Sequence, residues 1–268
     1  MKIVIALTLL VLLSLSGCDD KNNNSNSSHG PNVSNSNSNN NGRAAASFTP
    51  PIEIKPEAQT DPNFKSCNSY FPLVPGSQAK YNLIYPTTLR ANVNVVVEQG
   101  TGQDNKPVMV ERTQIVDSSG GLHKNSLGKE LYSCDGEKVD LVGRLEDNDV
   151  EGNKAHIEIR YSRPAVAMVE PSAMVPGTSW TYSFTETFQQ PGQATIDTNK
   201  TYRVSMSVIG PQDVTVPAGT FKTMKLEKKT ETSTIYEYYA RGIGLVKREM
   251  TDGTTWELRE FSGLKEQP

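Results

Sequence analysis

The most suggestive chemical pattern in the chain is acidic. Asp147, Asp149, Glu151, Gly152 and Glu158 stand at positions 1, 3, 5, 6 and 12 of an EF-hand-like loop, the spacing that gathers oxygen ligands around calcium. Two features oppose that reading. Position 5 is ordinarily Asp or Asn, and Lys154 fills position 8, where an apolar side chain belongs. The flanks also alternate like strands, so these residues read as a solvated acidic hairpin tip, with Glu158 pointing outward between Ile157 and Ile159. The three cysteines, Cys18, Cys67 and Cys134, form no Cys-x-x-Cys redox pair. Zinc would need ligands beyond His123 and His156, the two histidines of the globular region. No Gly-x-Ser-x-Gly elbow, His-Glu-x-x-His pair or phosphate-cradling glycine loop occurs. The expectation is a protein without catalytic activity, metal or cofactor.

A second group offers binding rather than reaction. Trp180, Tyr182, Phe184, Tyr202, Tyr236, Tyr238 and Tyr239 gather in the second half of the chain. They suit either the core between two sheet layers or the walls of an open cleft for an apolar ligand, because tyrosine has an apolar body and a polar tip. The candidate ligand-lining residues are Trp180, Tyr182, Tyr202, Tyr236 and Tyr238.

The elements that must hold these residues are strands. In Thr201–Val208 every second residue is apolar, which places Tyr202, Val204, Met206 and Val208 on one face. His156–Tyr161 repeats the pattern with Ile157, Ile159 and Tyr161. Further strands are expected over 79–85, 92–98, 108–116, 130–134, 139–145, 179–184, 223–229, 235–240, 245–250 and 255–261, separated by Gly, Pro, Asn and Asp. No amphipathic helix of ten or more residues stands out between 63 and 268. The predicted fold is all-β: one or two curved antiparallel sheets, half-barrel or sandwich-like. Val74-Pro75-Gly76-Ser77-Gln78-Ala79-Lys80-Tyr81 matches Val175-Pro176-Gly177-Thr178-Ser179-Trp180-Thr181-Tyr182 at an offset of 101 residues. Duplication of a β-meander, with halves 63–165 and 166–265, would explain the match. So would reuse of a common turn before a strand.

The start of the chain concerns location. Lys2 precedes an apolar run that ends in Leu15-Ser16-Gly17-Cys18. The charged start and short apolar core are those of a secretory signal peptide, and the run is shorter than the roughly 20 residues that span a bilayer. The ending resembles the lipobox of bacterial lipoproteins. That resemblance implies that residues 1–17 are removed and that Cys18 is acylated, anchoring the protein to a membrane. Two or three acyl chains would make that attachment nearly permanent. Asp19 and Asp20 resemble the inner-membrane retention signal of enteric lipoproteins, with the outer membrane as the alternative. Residues 18–62 read as a tether, rich in Asn and Ser as far as 42 and then punctuated by Pro50, Pro51, Pro56 and Pro62. About 40 flexible residues reach roughly 35 Å, enough to lift the domain off the bilayer. With Cys18 lipidated, an even pair remains, and in an exported chain Cys67 and Cys134 are expected to form a disulfide.

The formal net charge of −3, with Lys and Arg scattered, argues against nucleic acid as a partner. The turn Val216-Pro217-Ala218-Gly219-Thr220-Phe221, followed by Tyr239-Ala240-Arg241-Gly242-Ile243-Gly244-Leu245-Val246-Lys247, resembles a group of uncharacterised bacterial envelope proteins, many of them lipoproteins. The resemblance covers roughly 174–262. It implies a curved antiparallel sheet akin to the half-barrels of periplasmic lipoprotein carriers, and it brings no catalytic motif. The expected function is a lipid-anchored, non-enzymatic envelope protein that binds a lipid or lipoprotein on a concave sheet face. The alternative is a structural or assembly protein that contacts other envelope components.

Overall fold

A computed structural model describes residues 55–56, 66–87, 90–101, 107–117, 124–150, 153–162, 165–189 and 196–267. Cys18, Asp19, Asp20 and nearly all of the proposed tether lie outside these residues, as do His123, Glu151 and Gly152.

Among the described residues the period-two alternation of the sequence becomes fourteen strands: β1 (Lys55–Pro56), β2 (Gln78–Ile84), β3 (Arg90–Thr101), β4 (Pro107–Asp117), β5 (Lys124–Asp135), β6 (Lys138–Val150), β7 (Asn153–Ser162), β8 (Val166–Met168), β9 (Ser179–Gln189), β10 (Ile196–Val216), β11 (Gly219–Lys229), β12 (Thr234–Ala240), β13 (Gly244–Met250) and β14 (Thr255–Ser262). The twelve expected strands correspond to β2–β7 and β9–β14. One short 3-10 turn, Pro171–Ala173, joins the halves. Every strand pairs antiparallel with its neighbours, and the path runs β3-β2-β14-β13-β12-β11-β10-β9-β7-β6-β5-β4 and returns to β3. The expected all-β fold of curved antiparallel sheet is present, and the sheet closes into a twelve-stranded barrel where a half-barrel or sandwich was the expectation. The reason is physical. Among the described residues no helix covers the concave face, and two open edges would expose unpaired backbone, whereas pairing β2 with β14 and β7 with β9 removes both. The apolar face of β10 is accordingly covered by the opposite wall of the same sheet. Tyr202, Val204, Met206 and Val208 are all buried.

The barrel is a duplicated meander, β2–β7 followed by β9–β14. In both Val-Pro-Gly turns the glycine takes positive φ, +81° at Gly76 and +92° at Gly177, a region that favours glycine. Gly76 N donates to Val97 O and Val97 N to Ser77 O. Gly177 N donates to Val208 O and Val208 N to Thr178 O. The bulges match as well. Between β5 and β6 the register skips Val142, and between β12 and β13 it skips Val246.

One end of the barrel is closed by residues 66–76. The Asn68 side chain is buried there. Its Nδ2 donates to Glu137 O and Val169 O at 2.8 and 2.9 Å, and its Oδ1 accepts from the Tyr70 and Phe71 amides. Cys67 is disulfide-bonded to Cys134 at the end of β5. Phe71 reaches both halves, packing against Tyr132 and Tyr239 with ring centroids 5.0 and 6.0 Å apart.

Candidate functional site

The barrel interior is laid out by register. From β4 to β6, Glu111 stands opposite Glu130, and Glu130 opposite Arg144. In the second half Leu226 stands opposite Glu237, and Glu237 opposite Arg248. The duplication thus places Glu130, Tyr132 and Arg144 where the other half has Glu237, Tyr239 and Arg248. Tyr132 and Tyr239 each donate their hydroxyl to Oε2 of the glutamate two residues before, both at 3.0 Å. Phe71 packs against both tyrosines.

The two units differ in how the arginine is held. Arg248 grips Glu237 Oε1 with Nε at 2.8 Å and Nη2 at 2.6 Å, and its guanidinium lies 4.7 Å from the Trp256 ring centre. Arg144 instead grips Glu146 Oε2 at 2.8 Å, and Asn148 Nδ2 donates to the other oxygen of that carboxylate. Glu130 takes a second hydroxyl, from Tyr161 at 2.7 Å. Lys228 of β11 and Glu111 of β4 have no counterparts, since Thr113 and Leu226 hold the equivalent register positions.

These groups form one electrostatic cluster. Burial alone would raise the Glu130 carboxyl, but Arg144, Lys228 and the two tyrosine hydroxyls hold it below the ordinary range. Glu237 is held low against the same burial by Arg248, Lys228 and Tyr239. Burial would lower Lys228, yet Tyr182, Glu237 and Glu130 raise it. Glu111 is different. Burial, and then the neighbouring charge of Glu130, push it up to about 7, only partly offset by Arg248 and Arg144. Glu111 has no hydrogen-bond or ion-pair partner among the described residues.

The strands wall these side chains in on every side, yet they are not packed solid. Arg144 and Arg248 keep 18% and 20% of their side-chain surface, and Glu111, Glu130, Tyr161 and Lys228 are half-buried. A barrel of eight strands is just filled by its own side chains, and wider ones leave room. The interior therefore carries a charged layer that is enclosed but not packed solid. The outer face is also polar. Lys229–Glu227 and Lys247–Glu249 are ion pairs of 2.8 Å on the exterior. Among the described residues no helix is long and apolar enough to cross a membrane.

The expected ligand-lining set is not brought together. Tyr182 and Tyr202 face inward in an aromatic group with Tyr161 and Phe184. Tyr236 and Tyr238 face outward, because Glu237 between them takes the inward position. Lys225 lies over both rings, and their hydroxyls donate to Glu227 and Glu249. The Trp180 indole donates to Val166 O of β8. Asp147, Asp149 and Glu158 of the acidic hairpin stand on β6 and β7, and Asp147 Oδ1 is 2.7 Å from His156 Nδ1. No group of three potential metal ligands occurs among the described residues.

The charged layer escaped the sequence reading, although a signal existed. Glu111 lies in step with Met109 and Ile115, and Glu237 in step with Ile235 and Tyr239. These are carboxylates on the apolar face of their strands.

No curated protein matches the chain. The model of the DUF3108-like family matches residues 87–255, a span that includes Glu111, both Glu–Tyr–Arg units and Lys228. Among solved structures, the chain is similar to the crystal structure of a candidate exported protein with YmcC-like fold from Bacteroides fragilis. The two are 16% identical with a TM-score of 0.42, over 73% of this chain and 100% of that one.

Proposed function

The chain belongs to the DUF3108-like family, and from that premise we propose that it is an exported, lipid-anchored, non-catalytic binding protein whose barrel holds a small polar ligand. Export and anchoring rest on Lys2, the apolar run and Leu15-Ser16-Gly17-Cys18, and the Cys67–Cys134 disulfide fits an oxidising compartment. Non-catalytic action rests on the lack of any nucleophile, base or metal motif in the sequence.

The observation that carries the binding reading is the enclosed but incompletely packed layer of Glu111, Glu130, Arg144, Lys228 and Arg248. Stability does not require it. Buried ion pairs can often be replaced by apolar side chains of similar volume at no loss or with a gain, because desolvation offsets their attraction. A barrel that needed only to fold could fill its centre with Leu and Val. An acyl chain is a poor match for this layer, since it would strip water from charged groups and offer no hydrogen bonds in return. The apolar-ligand expectation therefore gives way to a polar ligand with charged or hydrogen-bonding groups.

Native mass spectrometry of the full-length protein, released gently from its own membranes, tests the reading. A retained small polar molecule, lost when Arg248 and Arg144 are both replaced by Met, is the expected result. A mass equal to the acylated polypeptide alone, with no thermal stabilisation by amines, sugars or small carboxylic acids, would overturn it. A co-purified envelope protein in place of a small molecule would transfer the role to assembly.

A further inference from the structure

Resting on that polar-ligand reading, we infer that the ligand is an organic cation, an amine or guanidinium compound, whose positive group is taken by the carboxylate of Glu111. Charge balance in the layer is the first argument. Glu111, Glu130, Glu146, Glu186 and Glu237 face Arg144, Lys228 and Arg248, five carboxylates against three cations, a net −2 when all are ionised. Each of the other carboxylates is committed. Glu130 accepts two tyrosine hydroxyls, Glu146 holds Arg144 and Asn148, and Glu237 holds Arg248 and Tyr239. Glu111 alone has no such partner among the described residues, and it stands half-buried on the inward face of β4.

The surroundings of Glu111 suit a cation. Glu130 stands beside it on β5, and Glu237 acts on it from β12. Arg144 from β6 and Arg248 from β13 also act on it, but both are engaged by other carboxylates. Tyr81 from β2, Tyr132 from β5 and Tyr239 from β12 share its field. Those rings supply aromatic faces of the kind that attract ammonium and guanidinium groups. The Arg248 guanidinium already lies over the Trp256 ring and shows the same preference inside this barrel. An unmatched carboxylate in an enclosed site is satisfied either by a proton or by a cation. The two compete, so the cation binds with release of a proton whenever the pH is below about 7, the value to which Glu111 is raised.

The test uses the full-length acylated protein in detergent, with putrescine and agmatine as probes and butanediol, glucose and succinate as controls. Calorimetry and thermal unfolding are read at pH 6, 7 and 8. The amines are expected to raise Tm at pH 8, with affinity falling toward tenfold per pH unit on the acid side of neutrality. Glu111→Gln, nearly isosteric and without the excess charge, should lose at least tenfold in amine affinity and flatten the pH dependence while its own Tm is unchanged or higher. Equal amine affinity in wild type and Glu111→Gln, or an affinity independent of pH, would overturn the inference. If succinate or glucose binds and the amines do not, the cation assignment fails and the polar-ligand reading stands. If none of the probes binds and no ligand is retained from native membranes, both fail.

Discussion

The two Glu–Tyr–Arg units are related by duplication, yet they should respond unequally to the same substitution. Glu237→Gln leaves Arg248 without the carboxylate that binds it at 2.6 and 2.8 Å, in a side-chain pair only 3% and 20% exposed. No second carboxylate grips Arg248, only the Trp256 ring and the more distant Glu111. Breaking a buried pair on one side costs about 3–5 kcal/mol, because the remaining charge stays desolvated. Glu130→Gln is milder. Arg144 keeps Glu146 at 2.8 Å, and the glutamine carbonyl can still accept a hydroxyl from Tyr132 or Tyr161. Its loss is mainly charge assistance, about 1–2 kcal/mol. Urea unfolding followed by tryptophan fluorescence separates the two. With a slope of about 2–3 kcal/mol per molar for a domain of this size, the midpoint should fall by roughly 1.5 M for Glu237→Gln and roughly 0.5 M for Glu130→Gln. Replacing both partners, Glu237→Leu with Arg248→Met, should restore stability to within about 1–2 kcal/mol of wild type. Equal losses in the two single variants, or a double variant worse than Glu237→Gln, would refute the idea that Arg248 depends on one carboxylate while Arg144 has two.

Three further outcomes are expected. Cys18→Ser should abolish palmitate labelling and move the protein out of the membrane fraction, and a labelled, membrane-bound variant would remove the anchor from the proposal. Replacing Cys67 or Cys134 by Ser opens a disulfide that closes a separation of 67 residues; on the chain-entropy model this lowers stability by about 4 kcal/mol at most, read as a drop in Tm, and two free thiols in the native protein would deny the bond. For the pH dependence the sign follows from Glu111, raised from 4.5 to about 7 in the folded state. The folded chain holds a proton that the unfolded chain releases, so this contribution is full below about pH 4.5 and is lost as pH rises through about 7. Screening around the half-buried side chain reduces it to roughly 2–3 kcal/mol. The stability of Glu111→Gln should lack that decline between pH 4.5 and 7, and an unchanged profile would place the titration elsewhere.

The strands were legible because their cause is local. Alternation such as Tyr202-Val204-Met206-Val208 assigns an element and its buried face without any partner, and a Pro-Gly pair announces a turn wherever it stands. The repeated Val-Pro-Gly segments likewise pointed to a duplicated meander, since equivalent turns repeat equivalent backbone bonds. Closure and the charged layer were decided only by tertiary structure. Whether β14 pairs with β2 is a contact between strands about 175 residues apart, which no local pattern encodes. The inward position of both arginines depends on a bulge. Val139 and Leu141 face the interior, and strict alternation from them would turn Arg144 outward; the extra residue Val142 shifts the period by one and turns it in. Val246 does the same for Arg248. A bulge is set by register against the neighbouring strand, so the sequence alone determined where the strands lie and which apolar faces they bury. Only the closed barrel, by fixing that register, determined that two glutamates and two arginines would meet at its centre.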